Sequence, residues 1–117
     1  MFKSEHTDKV SKMSAFTTWN DVLVCGMSDG GLQVYQLVPR ELGRTECTMG
    51  GRYLSRADAP RNVKRWGIVD VKAVEYSSGS CHVVSVNSRG DVDIWVIVKS
   101  DEEDPAVVKA RHRCRQT

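Results

Sequence analysis

Two stretches of this 117-residue sequence spell the same hairpin, and that repetition limits the chain to few folds. The first is Val22-Leu23-Val24-Cys25-Gly26-Met27, then Ser28-Asp29-Gly30-Gly31, then Leu32-Gln33-Val34-Tyr35-Gln36-Leu37. The second is Cys81-His82-Val83-Val84-Ser85-Val86-Asn87, then Ser88-Arg89-Gly90-Asp91, then Val92-Asp93-Ile94-Trp95-Val96-Ile97. Each is a β-branched run, a glycine turn and a second run with alternating character, the pattern of two antiparallel strands. The glycine after Asp29 or Arg89 supplies the positive φ that a tight hairpin turn requires. An offset of 60 superposes Val24 on Val84, Ser28 on Ser88, Gly30 on Gly90, Val34 on Ile94 and Tyr35 on Trp95. The same offset carries Phe16 onto Tyr76, each ending a further strand-like run, 10–16 and 69–76.

An internal repeat of three strands ending in an aromatic is the signature of a propeller blade. The segment between the repeats, 38–65, is broken by Pro39, Pro60, Gly43, Gly50 and Gly51. A fourth strand fits at 45–49 or at 52–54. An offset of 60 exceeds the usual blade period by about 15–20 residues, a surplus expected as a surface loop. After the acidic run 101–104, a last short strand fits at 106–111. The expected fold is all-β: two four-stranded antiparallel blades of an incomplete β-propeller. The expected division is an N-terminal extension 1–9, a first blade 10–49, a basic inter-blade loop 50–68, a second blade 69–113 and a tail 114–117. Two blades leave apolar faces bare, since each face of a blade needs a neighbour. The chain is therefore expected to be part of a longer protein, to complete its ring with another chain, or to form a different small β-sandwich or barrel.

The residues Ser28-Asp29-Gly30 with Val34-Tyr35, and Ser88-Arg89-Gly90 with Ile94-Trp95, resemble the closing half of WD40 repeats. Neither repeat has a Gly-His pair before its first strand, and Val96 follows Trp95 where a WD repeat has Asp. On that count the buried Asp–His–Ser–Trp network of such repeats is not expected. A narrower likeness runs from Val71 through Trp95 to Cys114-Arg115-Gln116-Thr117. That stretch resembles the closing blade of the p21-activated-kinase-interacting WD-repeat proteins, scaffolds in large-ribosomal-subunit assembly. The resemblance implies a non-catalytic WD-repeat scaffold in a ribonucleoprotein assembly, nucleolar or nuclear; without it a cytoplasmic location is expected.

Composition and motifs exclude several classes. With 40% hydrophobic and 27% charged residues and a net charge of +2, the chain has the make-up of an ordinary globular protein. The opening Met1–His6 has no apolar run of the kind a secretory leader carries, and no stretch is long enough to span a bilayer. Cys25, Cys47, Cys81 and Cys114 are scattered, as are His6, His82 and His112, so no metal site is expected. Cys25 and Cys81 fall in apolar runs, as small buried hydrophobes do. Together with the lack of an Asn-x-Ser/Thr sequon, this points to an intracellular protein. No nucleophile elbow, P-loop, dinucleotide fingerprint or HExxH occurs, so no enzyme, cofactor or small-molecule substrate is expected.

Binding is the remaining function class. Arg52, Arg56, Arg61, Lys64 and Arg65 surround Trp66 in the inter-blade segment, and Lys109, Arg111, Arg113 and Arg115 crowd the C-terminal end. Cations interleaved with aromatics hold phosphates and stack on unpaired bases. These ten residues are the candidate contacts for a partner protein or RNA. Asp29, Gly30, Arg89 and Gly90 are expected as structural turns, Tyr35 and Trp95 as core aromatics, and Trp19 and Trp66 as partner contacts. Arg89-Gly90-Asp91 spells an adhesion tripeptide that the turn itself explains. The expected partners are the missing blades or other chains, with RNA as the alternative; a small subunit completing a partner's propeller is a third reading.

Overall fold

The computed structural model describes residues 11–41, 47–100 and 107–116. It contains eight strands: β1 (Met13–Trp19), β2 (Val22–Met27), β3 (Leu32–Glu41), β4 (Cys47–Ala57), β5 (Ile68–Ser77), β6 (Ser80–Asn87), β7 (Val92–Ser100) and β8 (Val107–Gln116). They form two four-stranded antiparallel sheets in plain meander order, β1-β2-β3-β4 and β5-β6-β7-β8. The expected extension 1–9, the acidic run 101–104 and Thr117 lie outside the described residues.

The two sheets repeat each other in register as well as in sequence. Val24 pairs with Val34, and Val84 with Ile94, an offset of 60 on both strands. A bulge falls between Val34 and Tyr35 against β4 and again between Ile94 and Trp95 against β8. Both turns close alike: Gly30 N–H donates to Met27 O at 3.0 Å, and Gly90 N–H to Asn87 O at 2.9 Å. The first strands follow a different offset. Val24 pairs with Thr17 whereas Val84 pairs with Lys72, an offset of 55. The counterpart of Phe16 is thus Val71, and Tyr76 has none, because the β5–β6 hairpin runs on to a Ser78-Gly79 turn. The β1–β2 hairpin stops earlier, at Asn20-Asp21, where Asn20 takes φ 54°, a conformation that Asn tolerates.

The inter-sheet segment is shorter than the sequence suggests. One long strand, β4, takes in 47–49 of one candidate position for the fourth strand and all of the other, so 50–57 belong to the first sheet and only 58–67 connect the sheets. The surplus of the 60-residue period goes into a long β3–β4 arm, in which Leu37 to Glu41 pair with Gly51 to Cys47 beyond the reach of β2. Pro39 and Gly50 sit in that arm, where a two-stranded ribbon has a free edge for a residue that cannot donate. Likewise β8 carries the chain to Gln116, so 114–116 are strand and not tail.

The core lies between the sheets. Trp19, Val22, Val24, Leu32, Val34 and Ala57 of the first meet Ile68, Val71, Cys81, Val83, Trp95, Ile97 and Val108 of the second. Strand β1 contacts β5, and β4 contacts β8. Gly26 leaves room for Ile68, which would collide with any Cβ there. Trp19 corrects an expectation: it is buried at this interface, its indole N–H donating to Glu75 at 2.9 Å, and offers no partner contact. Cys25 and Cys81 are buried free thiols, pushed by burial up to about 11; both are inert at neutral pH.

Alternation decides which faces meet. Under the 60-residue offset, the buried Val22, Val24, Leu32 and Val34 of the first sheet correspond to His82, Val84, Val92 and Ile94, on the open face of the second. The buried Val83, Ser85, Trp95 and Ile97 correspond to Leu23, Cys25, Tyr35 and Leu37, on the open face of the first. The contact is therefore head to tail: each sheet uses a different face, and each end of the stack keeps an open face equivalent to one already buried. Tyr35 is accordingly not part of the inter-sheet core. It is half-buried and lines a groove of about 400 Å³ with Met13, Leu23, Cys25 and Met27.

The glycine turns give a measurable contrast. Gly30 has φ 90°, and an added Cβ would lie 3.0 Å from both Arg65 Cβ and the Trp66 carbonyl. Gly90 has φ 87° with nothing within 4 Å. Gly90→Ala should cost the left-handed strain alone, about 1–2 kcal/mol. Gly30→Ala should cost more, because the connection must also shift; urea midpoints compare the two.

Candidate partner-binding faces and the polar cluster beneath them

The cationic residues separate into those held by partners within the chain and those that are exposed. The connection 58–67 runs over the tops of both hairpin turns, and most of its charges are spent on holding it there. Arg56 donates to Asp29 at 2.8 Å and to Asp58 at 3.0 Å. Burial pushes the Asp29 carboxyl up, but the Arg56 hydrogen bond and the Gly31 N–H outweigh it and hold it below the ordinary range. Arg65 donates to the Ala59 carbonyl at 2.9 Å and sits 3.5 Å from Asp58. Trp66 is half-buried, with the Arg89 guanidinium 5.1 Å and the Lys64 ammonium 5.9 Å from its ring, a stacking geometry that fixes the ring over the second turn. Arg52 and Arg61 are exposed.

Arg115 belongs to the interior. Its guanidinium forms a two-pronged pair with Asp93, Nε to Oδ1 and Nη2 to Oδ2, both at 2.9 Å. Its third nitrogen donates to the Lys64 carbonyl at 2.6 Å, tying β8 to the connection. Asp93 Oδ1 also meets His112 Nε2 at 2.8 Å. Burial raises the Asp93 carboxyl, but the bonds from Arg115 and His112 outweigh it and hold it below the usual range. The Asp93 bond raises Arg115 in turn.

Beside this triad the Trp95 indole N–H donates to Ser85 Oγ at 2.9 Å, with the His112 ring edge-on to Trp95 at 4.9 Å. The residue types of the WD-repeat network thus lie together as two separate hydrogen-bonded pairs, Asp93–His112 and Ser85–Trp95, joined only through the ring contact. All four residue types converge, although Asp93 and His112 come from β7 and β8 and not from a turn and a Gly-His pair. The first sheet has an apolar version: Tyr35 and Tyr53 stand edge-on at 5.7 Å in the places of Trp95 and His112.

Asp93, His112 and Ser85 escape a reading by motif. Alternation was the available signal, since Asp93 and Ser85 share the inward face with Trp95 once the register is known.

Lys109, Arg111 and Arg113 are exposed on β8, on the open side of the second sheet. Arg113 Nη1 lies 2.9 Å from His82 Nε2, and His82 stacks on Tyr76 at 4.3 Å. This open face is aliphatic at its centre (Val84, Val86, Ile94) and cationic along β8. Val74 and Tyr76 stand out on its β5 side, 58% and 55% exposed. The open face of the first sheet presents Met13, Phe16 and Tyr53, each more than half exposed. Lone exposed apolar residues are ordinary; here several share each open face, with Asp70 and Lys72 beside them on the second.

Among the described residues, no three His, Cys, Asp or Glu side chains gather as a metal-ligand set. No protein-family model, curated protein or solved structure matches the chain.

Proposed function

We propose that the chain is a non-catalytic scaffold segment, two WD40-like blades of a β-propeller, whose open sheet faces bind protein within a larger assembly. The head-to-tail contact carries this reading. Blades of a propeller succeed one another by rotation, so each presents opposite faces to its two neighbours. A sandwich of two equivalent halves would instead bury equivalent faces. The host assembly that the WD-repeat resemblance suggests is a ribonucleoprotein, with large-ribosomal-subunit assembly first and a nucleolar or nuclear location. Co-purification from cells with mass spectrometry tests it when paired with Val84→Glu, a charge at the centre of one open face. A scaffold acting through that face loses its partners; partners retained in full overturn the reading.

The exposed Lys109, Arg111 and Arg113 beside Tyr76 and His82 favour RNA contact as a second reading. Cations on a sheet face flanked by aromatics suit single-stranded RNA. Replacing those three by alanine should weaken RNA binding. It should also flatten the salt dependence, by about 0.7 for each single-strand phosphate no longer neutralised. Arg115→Ala is no substitute, because that guanidinium is engaged with Asp93. Filter binding from low to high salt decides it: an unchanged slope removes the RNA reading.

A further inference from the structure

We infer that the open face of the second sheet is a docking site for the open face of the first sheet on another copy of this chain. The inference deepens the scaffold reading, on which it rests, by naming the occupant. Its ground is the correspondence between the buried contact and the two open faces. Trp19, buried between the sheets, corresponds at the first-strand offset of 55 to Val74; Val71, also buried there, corresponds to Phe16. Val74 and Phe16 are 58% and 62% exposed. A second copy placed by repeating the step from first to second sheet sets Val74 where Trp19 sits and Phe16 where Val71 sits. Ile94 takes the place of Val34, and Tyr35 that of Trp95. Met13, also exposed, takes the place of Ile68 and meets Val86 where Ile68 meets Gly26. A flexible methionine tolerates the larger neighbour.

Head-to-tail contacts do not exhaust themselves in a dimer. They close into a ring when the rotation allows and otherwise run on as a filament. Propellers usually close at 4–8 blades, so a ring of two-sheet chains takes about two to four copies.

Light scattering after size exclusion tests this with two single variants, Val74→Glu and Phe16→Glu. Both positions are exposed in the single chain, so neither variant disturbs the fold, and near-ultraviolet circular dichroism from Trp95 checks that. The wild type is expected at a multiple of the chain mass. Each variant alone is expected at the chain mass, since every contact needs one face of each kind. Mixing the two variants restores one intact contact and gives a dimer, twice the chain mass, that grows no further. A wild type that stays at the chain mass at every concentration overturns the inference. So does a single variant that keeps the wild-type mass, or a mixture that does not pair. These results would leave the blade reading standing, with a different protein on the open faces. That reading fails on its own terms if the two sheets bury equivalent faces.

Discussion

Replacing Asp93 by alanine is expected to destabilise the chain by about 3–5 kcal/mol, the cost of removing one partner of a buried ion pair. The Asp93 side chain is 5% exposed and receives three hydrogen bonds, two from Arg115 and one from His112. Its loss strands a guanidinium that is itself 13% exposed and that also ties β8 to the connection at Lys64. Asp91, 3.7 Å from Arg115, is a partial substitute, which favours the lower end of the range. The carboxyl is held below its ordinary range in the folded chain, so its stabilising contribution is present above the unfolded value of about 3.9. That contribution is lost as pH falls below about 3.9 toward the folded value. Urea midpoints against pH should therefore fall less steeply below about pH 4 in Asp93→Ala than in the wild type. Equal slopes would mean that the pair is not formed in solution. Asp29, shifted in the same direction by Arg56, contributes equally to both chains and cancels in the comparison.

Trp95 is the second large expectation. It is fully buried, the largest such side chain among the described residues, and its indole satisfies Ser85. Trp95→Ala should cost about 3–5 kcal/mol through reduced apolar burial and the cavity left behind. Trp95→Phe keeps most of the packing but leaves Ser85 Oγ without its donor, a penalty of about 1–3 kcal/mol. Tyr35→Phe, at the counterpart position in the first sheet, should cost well under that. Tyr35 is only half-buried, and its hydroxyl gives up one part-buried bond to Gln33. Equal losses at Trp95 and Tyr35 would contradict the assignment of one to the inter-sheet core and the other to an open face. Unfolding is to be compared at concentrations where each chain has a single mass, because self-association adds to apparent stability.

The hairpins were the legible part of this fold. Glycines 30 and 90 declare the turns, and alternation through Val34 and Ile94 gives the strands. Strand ends were not legible, because pairing length depends on partners far along the chain. Nothing local in Gly50 to Ala57 says that this stretch will pair along β3 from Val38 back to Leu32. The same holds for Cys114 to Gln116, which looks like a solvated end until Asp93 is known to lie opposite Arg115. Sequence also overstated the shared period, since a hairpin that stops at Asn20-Asp21 and one that continues to Gly79 cannot keep one offset throughout. Among the cationic residues, type alone does not separate Arg56 and Arg115, which bind carboxylates within the chain, from Arg111 and Arg113, which face outward. Only register does.

Head-to-tail packing of the two sheets is the claim on which the rest depends. Nuclear Overhauser contacts between assigned methyl groups measure it directly, at a concentration where the chain is a single species. The methyls of Val22, Val24 and Val34 are expected to show contacts with those of Val71, Val83 and Ile97, and none within the same molecule with Val84 or Ile94. Contacts from Val24 and Val34 to Val84 and Ile94 within one chain would mean that equivalent faces meet. The two sheets would then be halves of a sandwich and not successive blades.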